Sequence, residues 1–117
     1  HPAATISATA VIGAGTVISA GVVVQQDARV GCFCILNTSC SIDHDNVVGD
    51  FVSISSGAHT AGGVTIEDDV FIGLGALIVN GVTVGARATV GAGAVVLRNV
   101  AAGVTVVGNP ARPLTRG

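Results

Sequence analysis
From Ile6 to Val96 every sixth residue is aliphatic, through Ile12, Ile18, Val24, Val30, Leu36, Ile42, Val48 and Ile54 and on from Ile66; Thr60 is the one interruption. Four residues after each comes a small or slender side chain, in a second column that includes Ala10, Val22, Ala28, Cys34, Cys40, Asn46, Val64 and Ala76. The residue just after the aliphatic one is glycine at 13, 31, 49, 73, 85 and 91, and no insertion breaks the register. A sustained period of six predicts a parallel β-helix in which each hexad supplies one short strand and one corner. The aliphatic side chain fills the interior of a face and the small one fits the crowded corner. Glycine, asparagine and aspartate tolerate the positive φ that tight turns demand. Three hexads close a triangular coil, so the sixteen hexads make a little over five coils, a stack roughly 25 Å tall at the usual strand spacing. The coil is expected over 1–107. A tail over 108–117 ends it, because Pro110 and Pro113 cannot donate to a ladder. Residues 1–5 offer no cap for the first coil and the sequence contains no methionine, so a further segment is expected before it.

Composition narrows the class. Half of the residues are hydrophobic, yet only Phe33, Phe51 and Phe71 are aromatic, and Trp, Tyr, Met and Lys are absent. Valine, isoleucine, alanine and 17 glycines suit narrow β layers rather than a helical bundle. A net charge of -2 with five scattered arginines argues against a nucleic-acid surface. No apolar run is long enough to cross a bilayer and no signal-peptide pattern is present. Cys34 and Cys40 fall in the small inward column and are expected to be inert buried thiols, while Cys32 points outward. Three cysteines without a CxxC pair fit a reducing, cytoplasmic compartment. Outward positions such as Val11, Val17, Ile35, Val47 and Leu77 would leave an apolar wall unless another copy covers it. A triangular prism points to a three-fold homotrimer.

The chemistry gathers in 36–65. His44 lies between Asp43 and Asp45, two residues after the inward Ile42, which puts it outward at a corner. A histidine bracketed by carboxylates is held in one tautomer and becomes a better base near neutral pH. The bland reading is a solvated histidine on a turn; the triplet, with Asn37, Ser39, Ser53 and Ser55 nearby, favours a general base. His59, fifteen residues on, either lines the same cleft or decorates a corner. Gly62 and Gly63 either admit a ligand to the backbone, whose N–H groups would stabilise an oxyanion, or simply form a wide turn. Three readings follow: an acyl-transferring enzyme, a non-catalytic trimeric scaffold, and a zinc enzyme of the carbonic anhydrase kind. The last needs three histidine ligands, and His44 with His59 supplies only two, so no metal is expected.

The segments NTSCSIDHD, VVGDFVSISSGAHTAGGVTI and FIGLGALIVNGVTVGARATVGAGAVVLRNV, and the ending GNPAR, resemble the hexapeptide-repeat sugar O- and N-acetyltransferases of the NeuD/PglD type, across nearly the whole chain. The resemblance implies a left-handed coil, all-β, although parallel crossovers are otherwise almost always right-handed. It also implies acetyl-CoA as co-substrate, a sugar or nucleotide-sugar acceptor, and a trimer with each active site between two subunits. His44 would be the base and Asp45 its orienting acid, with Asn37 in the acceptor pocket. Gly62 would offer its N–H to the thioester carbonyl. Gly73, Gly75, Ala92 and Gly93 would line the pantetheine arm, and Asn109, Pro110 and Arg112 would lie near adenine and phosphates. Ser53 stands where members commonly carry a second histidine near the acetyl group, and the family's N-terminal nucleotide-sugar domain has no counterpart here.

Overall fold
In the computed structural model, which describes residues 1–114, eighteen short strands wind into a three-sided prism. The first face stacks β1 (Thr5–Ile6), β4 (Val23–Val24), β7 (Ser41–Ile42), β10 (His59–Thr60), β13 (Leu77–Ile78) and β16 (Val95–Val96). The second stacks β2 (Val11–Ile12), β5 (Arg29–Val30), β8 (Val47–Val48), β11 (Thr65–Ile66) and β14 (Thr83–Val84). The third stacks β3 (Val17–Ile18), β6 (Ile35–Leu36), β9 (Ser53–Ile54), β12 (Phe71–Ile72), β15 (Thr89–Val90), β17 (Thr105–Val107) and β18 (Arg112–Pro113). Each hexad therefore makes one two-residue strand, and the prism is six layers deep on its first face, as sixteen hexads dealt over three faces require.

Pairing is parallel with an eighteen-residue offset: Thr5 lies beside Val23, Ser53 beside Phe71, Leu77 beside Val95. From β1 to β16 the second residue of each strand points inward, and Leu36, Ile42, Ile54, Ile66 and Ile72 are fully buried. Each such side chain contributes about 1.5–3 kcal/mol over its exposed state. Ile6, Ile12 and Ile18 in the first layer are less covered, since layers stack on one side of them only.

The corners close through one column. From Gly15 to Gly93 every sixth residue has positive φ, including Asp27, Phe33, Ser39, Asp45, Phe51, Asp69 and Arg87 with φ between 55° and 61°. The glycines just after the aliphatic column are not these residues, contrary to the turn role expected of them. They are needed for stacking: a Cβ on Gly73 would lie 2.6 Å from the backbone nitrogen of Ala92, and one on Gly85 2.5 Å from that of Ala102.

The last coil departs from the period. Thr89 pairs with Thr105 and Val84 with Val100, an offset of sixteen rather than eighteen, so this turn is two residues shorter. The tail then joins the ladder instead of leaving it. Arg112 and Pro113 run antiparallel to β17, with Ala111 N–H donating to Val95 O (2.8 Å) and Leu114 N–H to Thr105 O (2.8 Å). Pro113 is tolerated because β18 is an edge strand, whose outer side needs no donor. Residues 115–117 of the expected tail lie outside the described part. Among the described residues no helix is long and apolar enough to cross a membrane.

Candidate functional site
His44 stands on the corner between the first and second faces, in the turn from β7 to β8, with about half of its side chain exposed. Asp45 holds positive φ (58°), which swings its carboxylate back to the imidazole: Oδ2 is 2.9 Å from Nδ1. Asp43 caps the same turn by accepting from His44 N–H at 2.7 Å. The Asp45 hydrogen bond, with the charges of Asp43 and Asp45 added, raises the His44 pKa above its ordinary 6.5. A neutral imidazole bonded to a carboxylate through Nδ1–H presents an unprotonated Nε2.

That Nε2 lies over Gly62. The two residues are eighteen apart, on neighbouring layers of one corner, and a Cβ on Gly62 would run into Nε2 and Cε1 of His44. Gly62 is thus required by the ring beside it. Gly63 N–H is taken by His44 O (3.0 Å), so the pair does not offer two free donors. Gly62 N–H has no partner within the chain among the described residues, and it sits beside the imidazole.

The remaining candidates are spread around the prism. His59 is on a strand, not at a corner: it lies outward on the first face, and its Nδ1 is 2.6 Å from Ser41 Oγ. Ser53 is on the third face, across the prism from the His44 corner, between Ile35 and Phe71. Asn37, Gly73, Gly75, Ala92 and Gly93 all fall on the corner between the third and first faces. There Gly57, Gly75 and Gly93 have open space where a Cβ would be, leaving a ledge of bare backbone, and Ala92 N–H has no partner within the chain among the described residues. Pro110 and Arg112 line a pocket of about 370 Å³ between the last coil and the tail, facing Arg98. Gly108 O accepts from Val95 N–H, which ties the Gly108–Ala111 turn carrying Asn109 to the first face. No single chain brings His44 together with Ser53 or with the glycine ledge.

Two residues beneath His44 were read from the sequence as column positions without a role of their own. Asn46 and Thr60 are the buried polar side chains of the core, and they bond to each other. The signal available in the sequence was that each breaks one of the two inward columns. Cys34 and Cys40 are buried thiols with raised pKa, mainly through desolvation, Cys40 to about 11, and Cys32 is partly exposed. Among the described residues no three His, Cys, Asp or Glu side chains converge as a metal site.

A family model for the hexapeptide repeat of succinyl-transferase matches residues 63–98. No curated protein matches the sequence. Among solved structures, the acetyltransferase domain of PglB from Neisseria gonorrhoeae is 45% identical over 97% of this chain, with a TM-score of 0.95, and has also been solved with acetyl coenzyme A. PerB from Caulobacter crescentus, in complex with CoA and GDP-perosamine, is 36% identical over 98%, with a TM-score of 0.97. WeeI from Acinetobacter baumannii is 38% identical over 96%, with a TM-score of 0.93. This chain spans 55–56% of the length of those three.

Repeat, coil and identity together define a hexapeptide-repeat acyltransferase fold. The chain has that fold, a left-handed β-helix similar to those of the PglB acetyltransferase domain and PerB.

Proposed function
We propose that this chain carries the acetyl-transfer site of an enzyme that moves an acetyl group from acetyl-CoA to an amine or hydroxyl of a sugar or nucleotide-linked sugar. The observation that carries the reading is the His44 ring, oriented by Asp45 at 2.9 Å and seated over the side-chain-free Gly62. Coenzyme A supplies the activated thioester, and the bare ledge at Gly57, Gly75 and Gly93 suits an extended arm that needs close backbone approach. Ala92 N–H and Gly73 line that path, Asn109 and Pro110 flank it near the tail, and Arg112 with Arg98 offers cations for the phosphates.

His44 Nε2 takes the proton from the attacking group, and Asp45 stabilises the imidazolium that forms. Gly62 N–H, unpartnered among the described residues, donates to the oxygen on which charge develops. Asn37, Ser53 and His59 contact acceptor or acetyl group from other faces, so a complete site needs a neighbouring copy. A homotrimer supplies it, and also covers outward Val17, Ile35 and Phe71. A cytoplasmic location belongs to the same proposal, since acetyl-CoA is a charged metabolite and the three cysteines are free.

The test is thiol release from acetyl-CoA with a panel of amino sugars and nucleotide-linked amino sugars. His44→Ala is expected to lose about 10²–10⁴-fold in kcat, the usual worth of a positioned base. Equal rates in the two proteins remove His44 from the mechanism.

A further inference from the structure
Among the described residues the buried side chains are apolar except at one place. Asn46 and Thr60 are buried, and each replaces a hydrophobic residue of its column. Their hydrogen bonds are fully used. The Thr60 hydroxyl donates to Asn46 Oδ1 and accepts from Asp43 N–H at 3.1 Å. The Asn46 amide donates to His44 O at 3.2 Å and to Ala61 O at 2.9 Å. The outward links of the pair go to Asp43 N–H, to His44 O and to Ala61 O, the residue before Gly62, with a longer contact from the Thr60 hydroxyl to Ser41 O (3.4 Å) on β7.

Neighbouring layers close the same corner without such a pair. One layer earlier the same corner closes over Ala28, with φ of 58° at Asp27, the value found at Asp45. In later layers it closes over Val64 and Val82, and the aliphatic column beside Thr60 continues with Ile42 and Ile78. A satisfied buried polar pair contributes little net stability over an apolar pair of similar shape, but it does specify one arrangement of what it touches.

We propose that Asn46 and Thr60 are positioning residues that lock the His44 turn to the Gly62 turn and so hold the imidazole over Gly62. This rests on the acetyl-transfer reading for its kinetic consequence, but not for its geometric one. The pair touches no reacting atom. It fixes the backbone on both sides of His44 Cα, where a displacement of about 1 Å costs roughly 10²-fold in rate.

The experiment uses Asn46→Val with Thr60→Val, because valine already occupies the first position at Val64 and is isosteric at the second. The double variant is expected to melt close to wild type, Asp43 N–H returning to the backbone carbonyl of residue 60 as Gln25 N–H does to Ile42 O one layer earlier, and to keep KM for acetyl-CoA within twofold. Its kcat falls by about 10–10²-fold, and the His44 Cε1–H proton, followed by NMR titration, moves in shift and midpoint. Thr60→Ser, which retains the hydroxyl, restores both kcat and titration. Thr60→Val alone melts below the double variant, because it leaves the Asn46 carbonyl oxygen buried without a partner. An unchanged kcat with an unchanged titration overturns the proposal, as does a kcat loss matched by a Tm loss that Thr60→Ser fails to reverse. If wild type and His44→Ala turn over equally, the acetyl-transfer reading fails by itself. The NMR titration then decides the positioning role, and an unmoved His44 signal in the double variant overturns it.

Discussion
At the scale of single residues, the His44 site makes two tests of its own. Asp45 raises the His44 pKa above 6.5, so the neutral ring that accepts a proton accumulates only above that raised value. The kcat/KM profile is therefore expected to climb with pH along an acid limb centred above 6.5. Asp45→Asn removes the leading cause of the shift, and its pH–rate profile should show that limb displaced downward as well as lowered. Gly62→Ala probes the same ring sterically. Its φ is unstrained, and the atoms nearest the added methyl are those of the His44 imidazole. An exposed ring swings aside at little cost in stability, and the expected result is a near-native Tm with kcat reduced by about 10²-fold. The DHD triplet made His44 legible in the sequence, because acids flanking a histidine in a charge-poor chain are hard to explain otherwise. The contact with Gly62 was hidden in the offset of one coil, and of the two readings left open for His59 the corner is excluded, since it lies on β10.

At the scale of the strand and corner, two kinds of glycine must be separated. Gly85 is there for stacking, with the Ala102 backbone 2.5 Å from where its Cβ would be, whereas Gly81 has positive φ (75°) and open space. Gly85→Ala has to push backbone, an overpacking cost of about 1–3 kcal/mol or more. Gly81→Ala pays only left-handed strain of about 1–2 kcal/mol. Thermal melting should place Gly85→Ala below Gly81→Ala. The hexad pattern gave the strands and inward residues almost one for one, since two-residue strands are set by local packing. It assigned the wrong glycine column to the turns, because a missing side chain looks the same in sequence whether φ or a neighbouring layer requires it.

At the scale of the whole molecule, the candidate residues divide among two corners and two faces. A site that uses both the His44 corner and the glycine ledge is completed only by a second copy. Light scattering is expected to give three times the 11.4 kDa of one chain. Mixing is the sharper measurement. His44→Ala chains combined with chains blocked at the ledge by Gly93→Trp should regain part of the wild-type rate after unfolding and refolding together, since some mixed interfaces carry neither lesion. Failure of the mixture to exceed either parent would mean that each chain holds its whole site.

The period of six by itself determined the prism, its inward columns and its parallel coils, because those follow from the sterics of a few neighbouring residues repeated without interruption. Tertiary structure alone decided what lies beside what. It set Gly62 under the imidazole and joined Asn46 to Thr60 through the core. It also shortened the last coil by two residues, so that the tail could add an antiparallel edge. These depend on how one layer lands on the next, and such contacts between distant residues are fixed only when the coil has closed.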